Sequence, residues 1–382
     1  LHFTAYLSHE KAFHIISQRD YQKILDYVSE VFTNFGVDSE YYPKQTEAYD
    51  ELIEEATRND VELVVRKARH VGTDKLTKVV EKFEKYIIDH GVDIMDCTEV
   101  LDIIVKKNIA SGIITKDNKR IYGEKILLAP GRVKADWLQK LVNKYGIQYI
   151  YDKVEVGVRV EFPSPIMRKQ SEILYETVYK VRTKTYHDII RTFCSCPNGE
   201  VATENYDGYV CVNGHSKSDH KSINSNFAFV SEVSLTEPVE NSIAYAKSIA
   251  EVASTIGGGK PILQSLEDLK CGRRSTWSRL AKSFVEPSLK DVTPGDIAMA
   301  LPYRIVQNIK EGLEILDKVM PGINSGSTLL YAPEVKFRSS KVSTDKNLQT
   351  SVKGLYVAGD AAGISGSITG AAVTGIMFAR GI

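Results

Sequence analysis

The stretch that most limits what this chain can fold into is its last one, Thr350 to Ile382, which reads TSVKGLYVAGDAAGISGSITGAAVTGIMFARGI. Leu355-Tyr356-Val357-Ala358 is a short apolar run, the pattern of a buried parallel strand. It ends at Gly359-Asp360, crosses a turn rich in Gly, Ala and Ser, and becomes helical from about Ser367. In that helix Ala371, Gly375 and Ala379 recur every fourth residue, so a small-residue stripe laid close against a sheet is expected. Strand, turn and helix in this order confine the segment to an α/β unit. They also put one carboxylate and the free N–H groups of a helix start at the same strand end. Such a place suits a polyol plus a phosphate or another electron-rich group. A tight strand-to-helix turn of no special function is the bland alternative.

The whole string G-L-Y-V-A-G-D-A-A-G (Gly354–Gly363), with Gly366 and the helix after it, resembles the C-terminal flavin-binding segment of FAD-dependent oxidoreductases with the glutathione-reductase-like fold. The resemblance implies that Asp360 holds the ribityl or pyrophosphate part of FAD. It places Gly359 and Ala361 in the turn, and Gly366, Ser367 and Ile368 at the helix start that faces the cofactor.

Composition narrows the remaining classes. At 382 residues the chain is long enough for two compact units. Lys+Arg and Asp+Glu are both 49, so the formal net charge is zero and nothing argues for nucleic acid or another polyanion as partner. No apolar run reaches the roughly 18 residues of a membrane span, and no signal-peptide pattern opens the chain. Five cysteines, at 97, 194, 196, 211 and 271, are too few and too scattered for a disulfide framework. A cytoplasmic chain is expected. Both ends look cut, because there is no initiator Met and the last helix stops at Arg380-Gly381-Ile382 while still in pattern. No G-x-G-x-x-G follows a strand; the one Gly cluster outside the tail, Gly257-Gly258-Gly259, follows a helix. An N-terminally truncated chain is the expectation.

Taken in order, residues 1–70 read as a helical segment. Tyr21, Ile24, Leu25, Val28, Val31, Phe32 and Phe35 follow helical spacing, with Asp20 placed to cap and Gly36 to stop the helix. A weaker helix runs from about Thr46 to Arg58, and His2, His9 and His14 read as ordinary polar positions. Leu76, Val79, Val80, Phe83, Tyr86 and Ile87 make an amphipathic helix ending at Gly91. Strands are expected at Val92–Met95, Thr98–Val105, Ile109–Thr115, Arg120–Tyr122 and Ile126–Ala129, the last closing at Pro130-Gly131. Residues 154–162 alternate Val or Phe with Glu155, Gly157, Arg159 and Glu161, giving a strand with one buried face. Further strands are expected at His187–Cys196, Tyr209–Asn213 and Asn226–Leu235, and helices at about Val239–Ile256 and Tyr303–Val319.

Helix, meander and a strand ending in A-P-G resemble the second half of the FAD-binding domain of the same superfamily. By that resemblance Val100 reaches the adenine through its backbone and Pro130-Gly131 make the close turn beside the cofactor; a plain β-meander is the alternative for Val100. The fold class expected is α/β: an incomplete FAD/NAD(P)-binding Rossmann-like domain (71–150 and 325–382, first βαβ missing) with an inserted, mostly antiparallel substrate domain (151–324). Over some 300 residues the chain resembles the bacterial and archaeal group of uncharacterised FAD-dependent dehydrogenases. The matching pieces are His70-Val71-Gly72-Thr73-Asp74, Gly157-Val158-Arg159-Val160-Glu161, Thr192–Gly199, Val212-Asn213-Gly214, Asn224-Ser225-Asn226, Arg338-Ser339-Ser340 and the tail. Gly359-Asp360-Ala361 replaces the group's common Gly-Glu-Gly and keeps the acid.

The resemblance implies an FAD-dependent oxidoreductase acting on a small molecule, with NAD(P)H as the candidate electron donor; a flavin-fold scaffold or binding module without productive cofactor is the rival. No catalytic acid or base is legible, nor is the oligomeric state. Cys194 and Cys196, two apart on a strand, share a face and admit three readings. A zinc site with Cys211 and His215 lacks the usual C-x2-C knuckle, and no metal is expected. A redox pair would close a very short loop. Packing of small thiols near a cavity is the favoured reading, a reactive thiol the second. Arg159, Arg191, Arg273, Arg274 and Arg338 are scattered candidates for an anionic substrate, Cys271–Trp277 is a candidate loop, and Asn213 reads as a turn residue.

Overall fold

The computed structural model of the chain describes residues 1–44, 46–151, 153–206, 208–216, 221–233, 241–336 and 341–381. It separates into two compact units. One gathers Leu1–Ser39, Lys75–Asp152 and Arg338–Ile382; the other gathers Glu40–Asp74 and Lys153–Phe337.

The second unit is built on an eight-stranded sheet. Its centre is Val154–Pro163, paired antiparallel with Asn224–Val233 on one side and with Leu329–Lys336 on the other. Ile189–Cys196, Val178–Arg182 and Val61–Val64 extend one edge, all antiparallel. On the other edge Ile262–Ser265 pairs antiparallel with Leu329–Lys336, and Thr293–Pro294 adds a parallel partner. β-Branched residues at alternate positions suit a pleated surface. Val154, Val156, Val158, Val160 and Phe162 accordingly enter an apolar core with Phe227, Phe229, Ile309 and Leu313. The opposite face is not solvated as the alternation predicts, for Glu155, Arg159 and Glu161 are buried as well. The reason is a hairpin, Glu200–Tyr206 and Tyr209–His215, whose Gly214 comes up against the Arg159 side chain. Sequence reading found half of that hairpin. It also missed Val61–Val64, so the first 70 residues are not wholly helical: short strands leave too little periodicity to read.

In the first unit Gln18–Asn34 buries Tyr21, Ile24, Leu25, Val28 and Phe32, as the spacing predicts. Its cap is Ser17 and not Asp20; the Ser17 side chain accepts from Asp20 N–H and donates back to the Asp20 carboxylate. The cap thus lies three residues before the expected one, with the Ser17 hydroxyl satisfying one free N–H of the first turn. Val100–Lys106, Ile109–Thr115 and Arg120–Tyr122 form an antiparallel meander, whereas Val92–Met95 is irregular. Ile126–Leu128 pairs parallel with Leu355–Val357. The last helix, Ile368–Gly381, buries Thr369, Gly370, Val373, Thr374 and Met377. The Ala371, Gly375, Ala379 stripe is half-buried to exposed, so it is not the packing face. The buried face runs beside the stripe and takes in a glycine and two threonines as well as Val373 and Met377, so residue size alone does not select it. On the Thr73–Asp89 helix Val79 is buried, while Val80, Tyr86, Ile87 and Ile88 are exposed.

Candidate functional site

Parallel pairing of Ile126–Leu128 with Leu355–Val357 sets Leu128 opposite Val357, and Ala358 N–H donates to the Leu128 carbonyl at 3.0 Å. Both strands therefore end at the same edge, and Pro130-Gly131 and Gly359-Asp360 emerge together. Gly359 has φ +74, a conformation L side chains avoid, and its N–H donates to Thr374 Oγ1 at 3.0 Å. That bond ties the turn to the final helix. Asp360, Ala361 and Ala362 make one 3₁₀ turn, and Ser365 Oγ donates to the Asp360 carboxylate. Ser367 Oγ accepts from Gly370 N–H at 3.0 Å, capping the helix that starts at Ile368. A Cβ on Gly131 would meet nothing within 4 Å, so there is open space in front of that turn.

Val100 and Pro130 line one cavity of about 600 Å³, with Gly112, Tyr122, Lys134 and Trp137 among its walls. Gly359 and Asp360 are not part of that wall. The structure thus gathers Pro130, Gly131, Gly359, Asp360 and Ala361 at one strand end, with Gly366, Ser367 and Ile368 leading into the helix, and sets Val100 in a cavity that adjoins this edge through Pro130.

Two neighbours escaped the sequence reading. Burial, and then the charge of Asp360, push the Tyr21 phenol up. Tyr21 Oη lies 2.8 Å from Nδ1 of His9, which is fully buried and no ordinary polar position. Thr369 Oγ1 donates to the His2 carbonyl at 2.7 Å, bringing the first residues to the helix start. Tyr21 belonged to a legible apolar stripe, but nothing in the spacing of His2 or His9 marks this contact.

The second unit holds a buried polar layer. Arg159, fully buried, donates from Nε to Asn226 Oδ1 at 2.7 Å and from Nη2 to the Cys194 carbonyl at 2.7 Å and to Cys196 Sγ at 3.2 Å. Its Nη1 faces Glu334 Oε2 at 3.7 Å, and Glu334 Oε1 lies 2.5 Å from Lys336 Nζ. Gly214 makes room for this guanidinium, since a Cβ there would stand 1.9 Å from Nη2. Alongside, Glu161 accepts from Tyr331 Oη at 2.5 Å, Asn224 Nδ2 at 3.1 Å and Ser288 N–H at 3.2 Å. Burial pushes its carboxyl up, and those donors oppose the shift.

The other candidates are tied into the scaffold. Arg191 grips Glu155 through two bonds of 2.6 and 2.7 Å. Arg273 Nε is 2.6 Å from Asp268, which also accepts from Ser275, so the Cys271–Trp277 loop is held by its own neighbours. Asn213 sits within a strand opposite Ala202 and is not a turn residue. Arg338 lies outside the described residues. Among the described residues no group of three or more His, Cys, Asp or Glu is placed to hold a metal, Cys211 and His215 included. Among them, too, no helix is long and apolar enough to cross a membrane.

Comparison with known proteins gives three kinds of likeness. The chain is 27% identical over 356 residues to an uncharacterized protein of Clostridium beijerinckii, covering 87% of this chain and 64% of that one. It thus spans under two thirds of that relative's length. Loose structural likenesses include glycine oxidase from Bacillus cereus (12% identity, 99% of this chain and 84% of that one, TM-score 0.36). L-proline dehydrogenase from P. horikoshii is similar to the same degree (11%, 100% and 79%, TM-score 0.38). Likenesses at these scores fix neither site nor activity. The most specific match is the third: residues 153–337, the body of the unit with the eight-stranded sheet, match the family described as FAD-dependent protein, C-terminal domain-like.

Proposed function

We propose that the chain is the larger part of an FAD-dependent oxidoreductase that acts on a small molecule, with NAD(P)H as the electron donor to be tested. In this reading the first unit binds the flavin and the second serves the substrate. The observation that carries it is the shared strand end, where Pro130-Gly131 and Gly359-Asp360 emerge side by side next to a capped helix start. The chemistry of that donor set suits the group: a carboxylate accepts from ribityl hydroxyls, and helix N–H groups face phosphate oxygens. Open space in front of Gly131 leaves room for it.

Asp360 would bind the polyol, Gly359 and Gly131 would let the backbone approach, and Val100 would meet the adenine through its main chain. A bound flavin supplies the two-electron chemistry; the protein binds, orients and shields it. The chain has no G-x-G-x-x-G of its own to cradle the pyrophosphate, so we expect it to bind FAD weakly when alone.

Titration with FAD, followed by flavin fluorescence and by absorbance, tests this. Weak saturable binding is expected, and Asp360→Ala should lower affinity by roughly tenfold to a hundredfold, the worth of one charge-assisted hydrogen bond of about 1.5–3 kcal/mol. Equal affinity in the variant would mean that the tail is a structural turn. No binding to either protein would favour the scaffold reading for this chain.

A further inference from the structure

The Cys194–Cys196 pair sits at an irregularity that its sequence spacing does not reveal. On the ladder with Asn224–Val233, Phe193 pairs with Ala228 and Cys196 with Asn226, so Cys194 and Ser195 stand opposite the single residue Phe227. This is a β-bulge, a feature that re-aims side chains. Cys194 takes φ +49, and Ser195 is anchored by donating to the Thr177 carbonyl at 3.0 Å. A β-carbon-bearing residue in that region is strained, and plain packing of a small thiol does not require it.

The thiols are also placed against charge. Arg159 Nη2 bridges the Cys194 carbonyl and Cys196 Sγ, and its Nη1 has no hydrogen-bond acceptor among the described residues. Two buried cations, Arg159 and Lys336, face one carboxylate, Glu334. The nearby Arg191–Glu155 and Arg66–Glu176 pairs are each neutral. Among the described residues a thiolate at this place would lie close to Arg159 and Lys336, whose field favours the charged form. Cys194 is partly exposed, Cys196 buried.

We propose that Cys194 and Cys196 form a working dithiol that exchanges with small-molecule disulfides, Cys194 attacking first and Cys196 resolving. The Cys194 thiolate attacks one sulfur of R–S–S–R, the S–S bond breaks, and R–S⁻ leaves. Cys196 then releases its proton to that thiolate and attacks Cys194 Sγ. The intramolecular disulfide forms and the second R–S⁻ leaves, to be protonated by solvent. The protein dithiol is oxidised by two electrons and the disulfide is reduced to two thiols. Arg159 Nη2, beside Cys196 Sγ, favours the thiolate needed in the second step.

Titration follows the same geometry. The Cys196 hydrogen bond, aided by Arg159 and Lys336, brings Cys194 down to about 6 against burial and the Glu176 charge, while that bond and burial push Cys196 up. A lower pKa also weakens the nucleophile, so at neutral pH the gain over an ordinary thiol is small. At pH 6 the larger thiolate fraction wins, by about tenfold.

The test treats the native chain with iodoacetamide from pH 5 to 9, and separately with bis(2-hydroxyethyl) disulfide, and maps the products by peptide mass spectrometry. Exposed Cys97 and Cys271 serve as internal controls. At pH 6 Cys194 should react about tenfold faster than those two. The disulfide should convert the pair to a form lighter by two hydrogens, and Cys196→Ser should trap a stable mixed disulfide at Cys194. The proposal fails if Cys194 reacts only after unfolding, if its rate follows the same pH midpoint as the controls, or if the wild-type mixed disulfide persists without closing. Labelling of Cys196 in Cys194→Ser as fast as the wild-type reaction would reverse the order and overturn it too.

Discussion

Gly214 leaves the space that a buried guanidinium fills. Adding one methyl there would place a carbon 1.9 Å from Arg159 Nη2 and 2.6 Å from Asn226 Oδ1, so the guanidinium must move. Moving it breaks charge-assisted bonds to Asn226 and to the Cys194 carbonyl, each worth about 1.5–3 kcal/mol. Gly214→Ala should therefore lose roughly 2–5 kcal/mol in urea unfolding, well beyond an ordinary surface change. A loss under about 1 kcal/mol would mean that the polar layer adjusts freely. At this scale the sequence was partly legible. Arg159 stood out as a charge in an apolar alternation, and Val212-Asn213-Gly214 as a motif. Their meeting was not visible, since it depends on a hairpin folding over a sheet from some fifty residues away.

The helix Ile368–Gly381 shows what spacing can and cannot establish. Its existence, start and cap region follow from the string, but its packing face does not. Small residues at every fourth position allow close approach without demanding it. Nothing lies within 4 Å of a Cβ added at Gly375, whereas one at Gly370 would meet Ser367 Oγ at 3.0 Å and His9 Nδ1 at 3.2 Å. Gly375→Ala should thus stabilise the protein by roughly 0.5–1 kcal/mol, through reduced backbone entropy of the unfolded chain. Gly370→Ala should destabilise by about 1 kcal/mol, as the Ser367 cap is disturbed. Thermal unfolding of both variants decides it; the opposite ranking would restore the stripe as the contact face. The strands of the eight-stranded sheet divide the same way. Val154–Pro163 was readable from its alternation, whereas the two- to five-residue strands at the edges were not, because so short a run has no period to detect.

For the whole molecule, the order of segments matters more than any one contact. The chain passes between its two units after Ser39, Asp74, Asp152 and Phe337. The matched stretch 153–337 supplies most of the second unit, yet the edge strand Val61–Val64 comes from earlier in the chain. A chain ending at Phe337 should protect the amides of Val154–Pro163 against hydrogen exchange while those of Ile126–Leu128 exchange freely; equal protection of both would show that the first unit folds without the tail. During synthesis this imposes a wait. At about 5–20 residues per second, residues 153–337 take roughly ten to forty seconds to emerge. Throughout that interval Ile126–Leu128 has no Leu355–Val357 to pair with. The half-built unit meanwhile carries apolar side chains that stay exposed even in the finished fold, Val80, Tyr86, Ile87 and Ile88 among them. Within this chain the unit whose strands emerge before residue 153 is completed only after residue 337, and over that interval the nascent chain stays open to chaperones or to aggregation.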